Sequence, residues 1–322
     1  MKLISLVRKR TLSIFFVYFF LFFLILYNLL FNTFDYSHSI LIKPQQSLKE
    51  ISRSLYKHNI IKNQYLFEFL IRISMNQKTL KAGEYKFFKN NIFQVISKLK
   101  QGDVVQRRVT IPEGLTSVEI VNILKNTEGI LVNKGFNIPL EGSLFPNTYF
   151  YLYGTKIETV IYRMQQSMDK VLKDFWDNKH ESVNLDNINE LLILASIIEK
   201  ETSIKEEKAV IAQVFLNRLN LNMKLQSDPT VVYGIKKKFP KFDKKLTRDD
   251  LVFDSKYNTY KSFGLPKGPI CNPGKDSIQA ASRPKKTNFL YFVADNYGGH
   301  IFSTNYKGHL KNIENIKNNK LN

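Results

Sequence analysis

Residues 191–198, LLILASII, are apolar apart from Ser196 and run straight into Glu199-Lys200-Glu201-Thr202. Such a run predicts a buried helix with a carboxyl at its last turn. Burial strips water from a carboxyl, disfavours its charged form and raises its pKa. A carboxyl still protonated near neutral pH can donate to a leaving oxygen, as glycosidase acids do. Glu199 is therefore the candidate catalytic acid. Glu201 lies two residues on, about 200° around the helix, on the side expected to face water. The pattern alone fits a solvated helix end equally well.

Other chemistry-bearing side chains follow. Asp228, in Gln226-Ser227-Asp228-Pro229, is the candidate second carboxylate of a glycoside hydrolase; Asp before Pro is also an ordinary turn device. Asn217 and Arg218 could reach sugar hydroxyls, or simply make a helix surface polar. Tyr257, Asn258 and Tyr260 sit in a segment rich in residues that suit sugar rings, which a packed loop would explain as well. His300 follows Gly298-Gly299 and could point into a cleft, although a lone histidine is more often structural. No HExxH, CxxC, Ser-His-Asp arrangement or phosphate loop is legible, so neither metal nor cofactor is expected. The single cysteine, Cys271, allows no disulfide within the chain.

These residues need positioning elements. Residues 11–34 carry no charged side chain, while Lys2, Arg8, Lys9 and Arg10 precede them and Asp35 follows. The run is long enough to cross a bilayer, and the basic flank places the N-terminus inside. It is too long for the apolar region of a cleaved signal peptide and does not end in small residues. The expected plan is a cytoplasmic tail (1–10), a transmembrane helix (11–34), a small α/β unit (39–105), a connector (106–140), a catalytic domain (141–310) and a fraying polar tail (311–322). The fold class is α+β. The 39–105 unit reads as strand–helix–helix–strand, the order of glycan-binding LysM domains, or else as a simple spacer. The net charge of +20 has its lysines spread thinly. It suits an anionic lipid or wall surface, or compositional drift, better than a nucleic acid.

Several blocks occur in an order that resembles one family. LASIIEKET (194–202) leads, followed by VFLNRL (214–219), LQSDPTVVYG (225–234), YNTY (257–260), GLP (264–266), NPG (272–274), YFVAD (291–295) and GGHIFSTN (298–305). Upstream, TIPEG (110–114) and LEGSLFPNTY (140–149) are also similar. Together they resemble the YceG-like family of MltG-type endolytic murein transglycosylases. Two departures are Asn147, where the family has Asp, and Lys267, where it often has a second proline; both bear on loop shape. The resemblance implies a lytic transglycosylase of the bacterial inner membrane with its catalytic domain outside the cytoplasm. It would cleave the bond between N-acetylmuramic acid and N-acetylglucosamine within a strand. The acid protonates the glycosidic oxygen and the muramic 6-hydroxyl attacks its own anomeric carbon, giving a 1,6-anhydro end; the same carboxylate can take that hydroxyl's proton. Carried to this sequence, the acid is Glu199, with Asn217, Gln226, Asp228, Tyr257, Asn258 and His300 around the substrate. The partners implied are peptidoglycan strands and, beside them, peptidoglycan polymerases. A muramidase-type hydrolase and a non-catalytic wall-binding scaffold stay open as alternatives.

Overall fold

The computed structural model describes residues 2–33, 37–74 and 80–318, so Phe34 and Asp35 at the end of the expected span lie outside the described residues, as do 319–322. The described chain is a mixed α+β structure that divides into two compact units, one of residues 1–107 and 150–154 and one of 108–149 and 155–322.

The first unit begins with α1 (Lys2–Phe31), in which Leu12–Phe31 is long and apolar enough to cross a membrane. From Leu12 onward most of its apolar side chains are exposed, which is compatible with a helix in lipid, while Leu30 packs against the core of this unit and Phe31 meets Phe93 at 5.8 Å between ring centres. Next come β1 (His38–Ile42), α2 (Leu48–Lys57), α3 (Gln64–Ile73), β2 (Gly83–Phe87) and α4 (Ile92–Gln101). β1 and β2 pair antiparallel with Ile40 opposite Tyr85, so the expected strand–helix–helix–strand order is present. Ser47 with Glu50 and Asn91 with Gln94 form capping boxes that start α2 and α4. Leu55, Phe67, Ile71, Tyr85, Val95 and Leu99 fill the core.

The second unit holds β3 (Arg107–Thr110), α5 (Ser117–Lys125), β4 (Ile130–Leu131), β5 (Thr148–Tyr151), β6 (Thr155–Lys156) and α6 (Ile157–Asp177), the strands β3 and β5 lying at its boundary. It continues with α7 (Ile188–Glu201), α8 (Lys205–Asn220), α9 (Asp228–Lys238), α10 (Lys275–Ser282), the antiparallel pair β7 (Tyr291–Ala294) and β8 (His300–Ser303), and α11 (Tyr306–Asn318). The apolar run 191–198 is indeed the buried centre, with α6, α8 and α10 packed around α7. Ser196, the exception in that run, is satisfied: its hydroxyl donates to the Ile193 carbonyl and accepts from the Ile270 amide at 3.0 Å. Residues 108–140, most of the expected connector, fall within this unit. Fully buried Asn272 explains why. It donates to the Leu115 carbonyl, accepts from the Leu144 amide at 2.8 Å and reaches Glu141 Oε1 at 3.1 Å.

The polar tail is the clearest departure from expectation. Its described part, residues 311–318, continues α11, in which Tyr306 and His309 pack their rings on Tyr291 and Asn312 donates to Ser303 Oγ.

Candidate active site

α7 delivers Glu199, Lys200 and Glu201 in three directions. Lys200 donates to the Gly114 carbonyl. Glu199 is nearly buried and ion-paired, its Oε2 lying 3.2 Å from the equally buried Lys208 Nζ on α8. The same oxygen accepts from Ser277 Oγ at 2.5 Å and from the Gly274 amide at 3.1 Å. Glu113 stacks beside this cluster over Gly274, where a Cβ would overlap its carboxyl. Burial, then the nearby Glu199 charge, pushes the Glu113 carboxyl up. Glu199 is thus tied into a buried ionic network at the start of α10.

Glu201 was expected to face water and instead lines a cleft of about 370 Å³ together with Arg218, Gln226, Asp228, Tyr260 and His300. The far wall is Tyr291 to Ala294 of β7, with Tyr306 and His309 of α11. Ser227 Oγ donates to Glu201 Oε1. Burial is the main force on the carboxyl and raises its pKa to about 7; Ser227, His300 and Arg218 pull it down, and Asp228 pushes it up. Glu201 is therefore the group with the property the sequence argument assigned to Glu199. The reason is geometric: α8 and α10 cover the Glu199 side of the helix and supply a lysine, while the Glu201 side opens on the cleft.

The other residues expected at the site separate into two groups. Gln226, Asp228 and His300 are brought together in the cleft. Gln226 is held at φ 49 with its amide donating to the Thr259 carbonyl. Asp228, expected in a turn, starts α9 ahead of Pro229, and its Oδ1 accepts from Tyr260 OH at 2.5 Å. Burial, and then Asp228, raises the Tyr260 pKa and keeps it a donor. Asn217, Tyr257 and Asn258 do not line the cleft. Asn217 donates to the Thr287 and Phe289 carbonyls. Buried Asn258 donates to the Leu251 and Phe253 carbonyls. Tyr257 packs edge-on against Tyr233, 4.8 Å between ring centres. The two asparagines hold loop backbone, and Tyr257 packs on α9.

Arg218 spans the floor, donating to the Leu225 carbonyl at 2.5 Å and the Leu290 carbonyl at 2.7 Å. Glu207, which the sequence reading did not single out, binds His300: ring Nδ1 lies 2.7 Å from Oε2 and the His300 amide donates to Oε1 at 2.8 Å. A larger polar hollow of about 600 Å³ lies at the start of α7. Its Asp186 is exposed and its partly exposed Glu190 accepts from the Asp186 backbone amide, so it lacks a desolvated acid. Among the described residues no cluster of His, Cys, Asp and Glu could hold a metal. The cleft offers a carboxyl, Glu201, suited to protonating a leaving oxygen amid donors suited to hydroxyl-rich ligands.

This chain belongs to the YceG-like family, whose model matches residues 40–315. It is 32% identical over 305 residues to the endolytic murein transglycosylase of Bacillus subtilis (strain 168), covering 85% of this chain and 83% of that protein. The endolytic murein transglycosylase of Streptococcus pneumoniae serotype 2 (strain D39 / NCTC 7466) is 31% identical over 322 residues, covering 86% of this chain; the match spans only 58% of that relative's length. The crystal structure of a YceG-like protein from Listeria monocytogenes superposes with a TM-score of 0.54 at 31% identity, covering 85% of this chain and 98% of that one.

Proposed function

We propose that this chain is an endolytic murein transglycosylase in which Glu201, rather than Glu199, is the catalytic acid. The observation that carries the reading is the Glu201 carboxyl, pushed up to about 7 and lining an open cleft. A neighbour two residues away is instead neutralised by Lys208. The substrate is a peptidoglycan glycan strand, bound along Gln226, Asp228, Tyr260 and His300. Glu201 protonates the oxygen between N-acetylmuramic acid and N-acetylglucosamine, and the muramic 6-hydroxyl closes onto C1. That nucleophile is tethered, so its effective concentration is high and no second carboxylate is needed to activate a water. The product is a 1,6-anhydro end, and cutting within nascent strands would terminate their growth beside the polymerases that make them. α1 anchors the chain in the plasma membrane with the basic end inside and both outer units beyond it. The strand–helix–helix–strand unit serves as a LysM-like glycan-holding module. What supports this assignment is the family membership, relatives that carry the name, and the chemistry of the cleft.

Mass analysis of purified glycan strands digested by the protein tests it. Anhydro ends that disappear in Glu201→Gln are expected. Free reducing ends would point to a muramidase with Asp228 as second carboxylate. Strand binding with no cleavage would point to a scaffold.

A further inference from the structure

His300 and Glu207 form an arrangement that the acid role of Glu201 does not use. Glu207, on α8, accepts from the His300 amide, from His300 Nδ1 and from Thr202 Oγ1 at 3.2 Å. A carboxylate only accepts hydrogen bonds, so the ring must present Nδ1–H to it. In the neutral ring that fixes the tautomer and leaves Nε2 with its lone pair. Among the described residues no hydrogen bond engages Nε2, and His300 lines the cleft that Glu201 lines. The ring is held in place by Phe292, edge-on at 5.3 Å, and by Phe302. Gly299 lets the Glu207 carboxylate approach the hairpin, since a Cβ there would come within 3.0 Å of Oε1. A carboxylate behind Nδ1 and an open Nε2 in front is the geometry by which histidines serve as general bases.

The transglycosylase reaction needs such a base. Ser227 occupies Glu201 Oε1, leaving one oxygen to serve both the leaving oxygen and the incoming hydroxyl. We propose that His300 is the base that takes the proton of the attacking muramic 6-hydroxyl, and that Glu207 is the positioning residue that holds it. The assignment rests on the transglycosylase reading above. In the step, Glu201 gives its proton to the glycosidic oxygen as the bond from C1 to that oxygen breaks. The 6-oxygen bonds to C1 and its proton passes to Nε2. One proton has moved from Glu201 to His300, and solvent returns both groups to their starting states. The charged and titratable groups around His300 are Glu201 from α7, Glu207 and Arg218 from α8, Asp228 from α9, Tyr291 from β7 and His309 from α11. Tyr260 closes the ring from the loop side.

The test is the pH profile of the full chain in detergent on purified glycan strands, read for kcat, KM and product ends. A base active when unprotonated and an acid active when protonated give a bell. His300→Gln is expected to lower kcat about 100-fold with KM nearly unchanged and to remove the acid-side limb. His300→Gly should regain activity with added imidazole. Glu207→Gln, which keeps the shape of the site should His300 variants not fold, is expected to lower kcat about tenfold and move that limb. Anhydro ends formed by His300→Gln at the wild-type kcat and with the wild-type profile would overturn the proposal and leave the transglycosylase reading standing. So would a loss confined to KM. Reducing ends from the unaltered protein would overturn both.

Discussion

Glu199 and Glu201 leave the same helix end about 200° apart, and burial treats them differently because only one meets a lysine. For Glu199 the consequence is structural. Glu199→Gln strands the Lys208 ammonium in a nearly buried site, a kind of change that costs about 3–5 kcal/mol. A clear fall in the thermal midpoint is expected, with glycan cutting retained by whatever stays folded; an unchanged midpoint would contradict the buried pair. For Glu201 the consequence is chemical. Glu201→Gln should keep the fold and abolish product. The folded pKa of about 7 lies above the ordinary 4.5, so the folded state holds this proton more tightly than the unfolded chain. Stability from this group is therefore greatest below about pH 4.5, declines between there and about 7, and stays lower above. Denaturation midpoints followed with pH should fall across that window in the wild type and fall less in Glu201→Gln, making the variant the more stable of the two above pH 7.

At the scale of elements, α8 organises the site. One stretch of it supplies Lys208 to Glu199 and Glu207 to His300, and its last turns supply Asn217 and Arg218 to the segments leading into β7. Arg218→Met would leave the Leu225 and Leu290 carbonyls without this donor. A loss on the order of 3 kcal/mol and a higher KM are expected in denaturant and kinetic titrations. The helices themselves were legible in the sequence: the apolar run 191–198 announces a buried helix, and Gly298-Gly299 announces the hairpin. The facing of Glu201 was not legible, because it depends on which side of α7 is covered by α8 and α10. Nor were the contacts of Asn217 and Asn258, whose side-chain amides donate to backbone carbonyls of loops. No pattern in sequence separates an asparagine that holds a loop from one that holds a sugar. Glu207 was invisible for the same reason, its partner being 93 residues away.

At the scale of the whole molecule, the chain forms two compact units, the first of which begins with an apolar helix, and its net charge is +20, which would attract the anionic polymer proposed as substrate. Strand binding should weaken as salt rises beyond the screening range, while kcat at saturation changes little; a salt-independent KM would show that the charge plays no part. The helix α1 carries a further consequence. Between Leu12 and Phe31 it has neither glycine nor alanine and a single serine, Ser13, and the rings of Phe15, Phe19 and Phe23 meet in sequence along one side, 6.1 and 4.6 Å between centres. Helices that associate within a bilayer do so through small residues that let their backbones approach. A stripe of phenylalanine rings holds a neighbour at arm's length, so a bilayer-spanning α1 is expected to associate weakly with other helices. Any assembly of this chain is then expected to fall to the surfaces that follow α1.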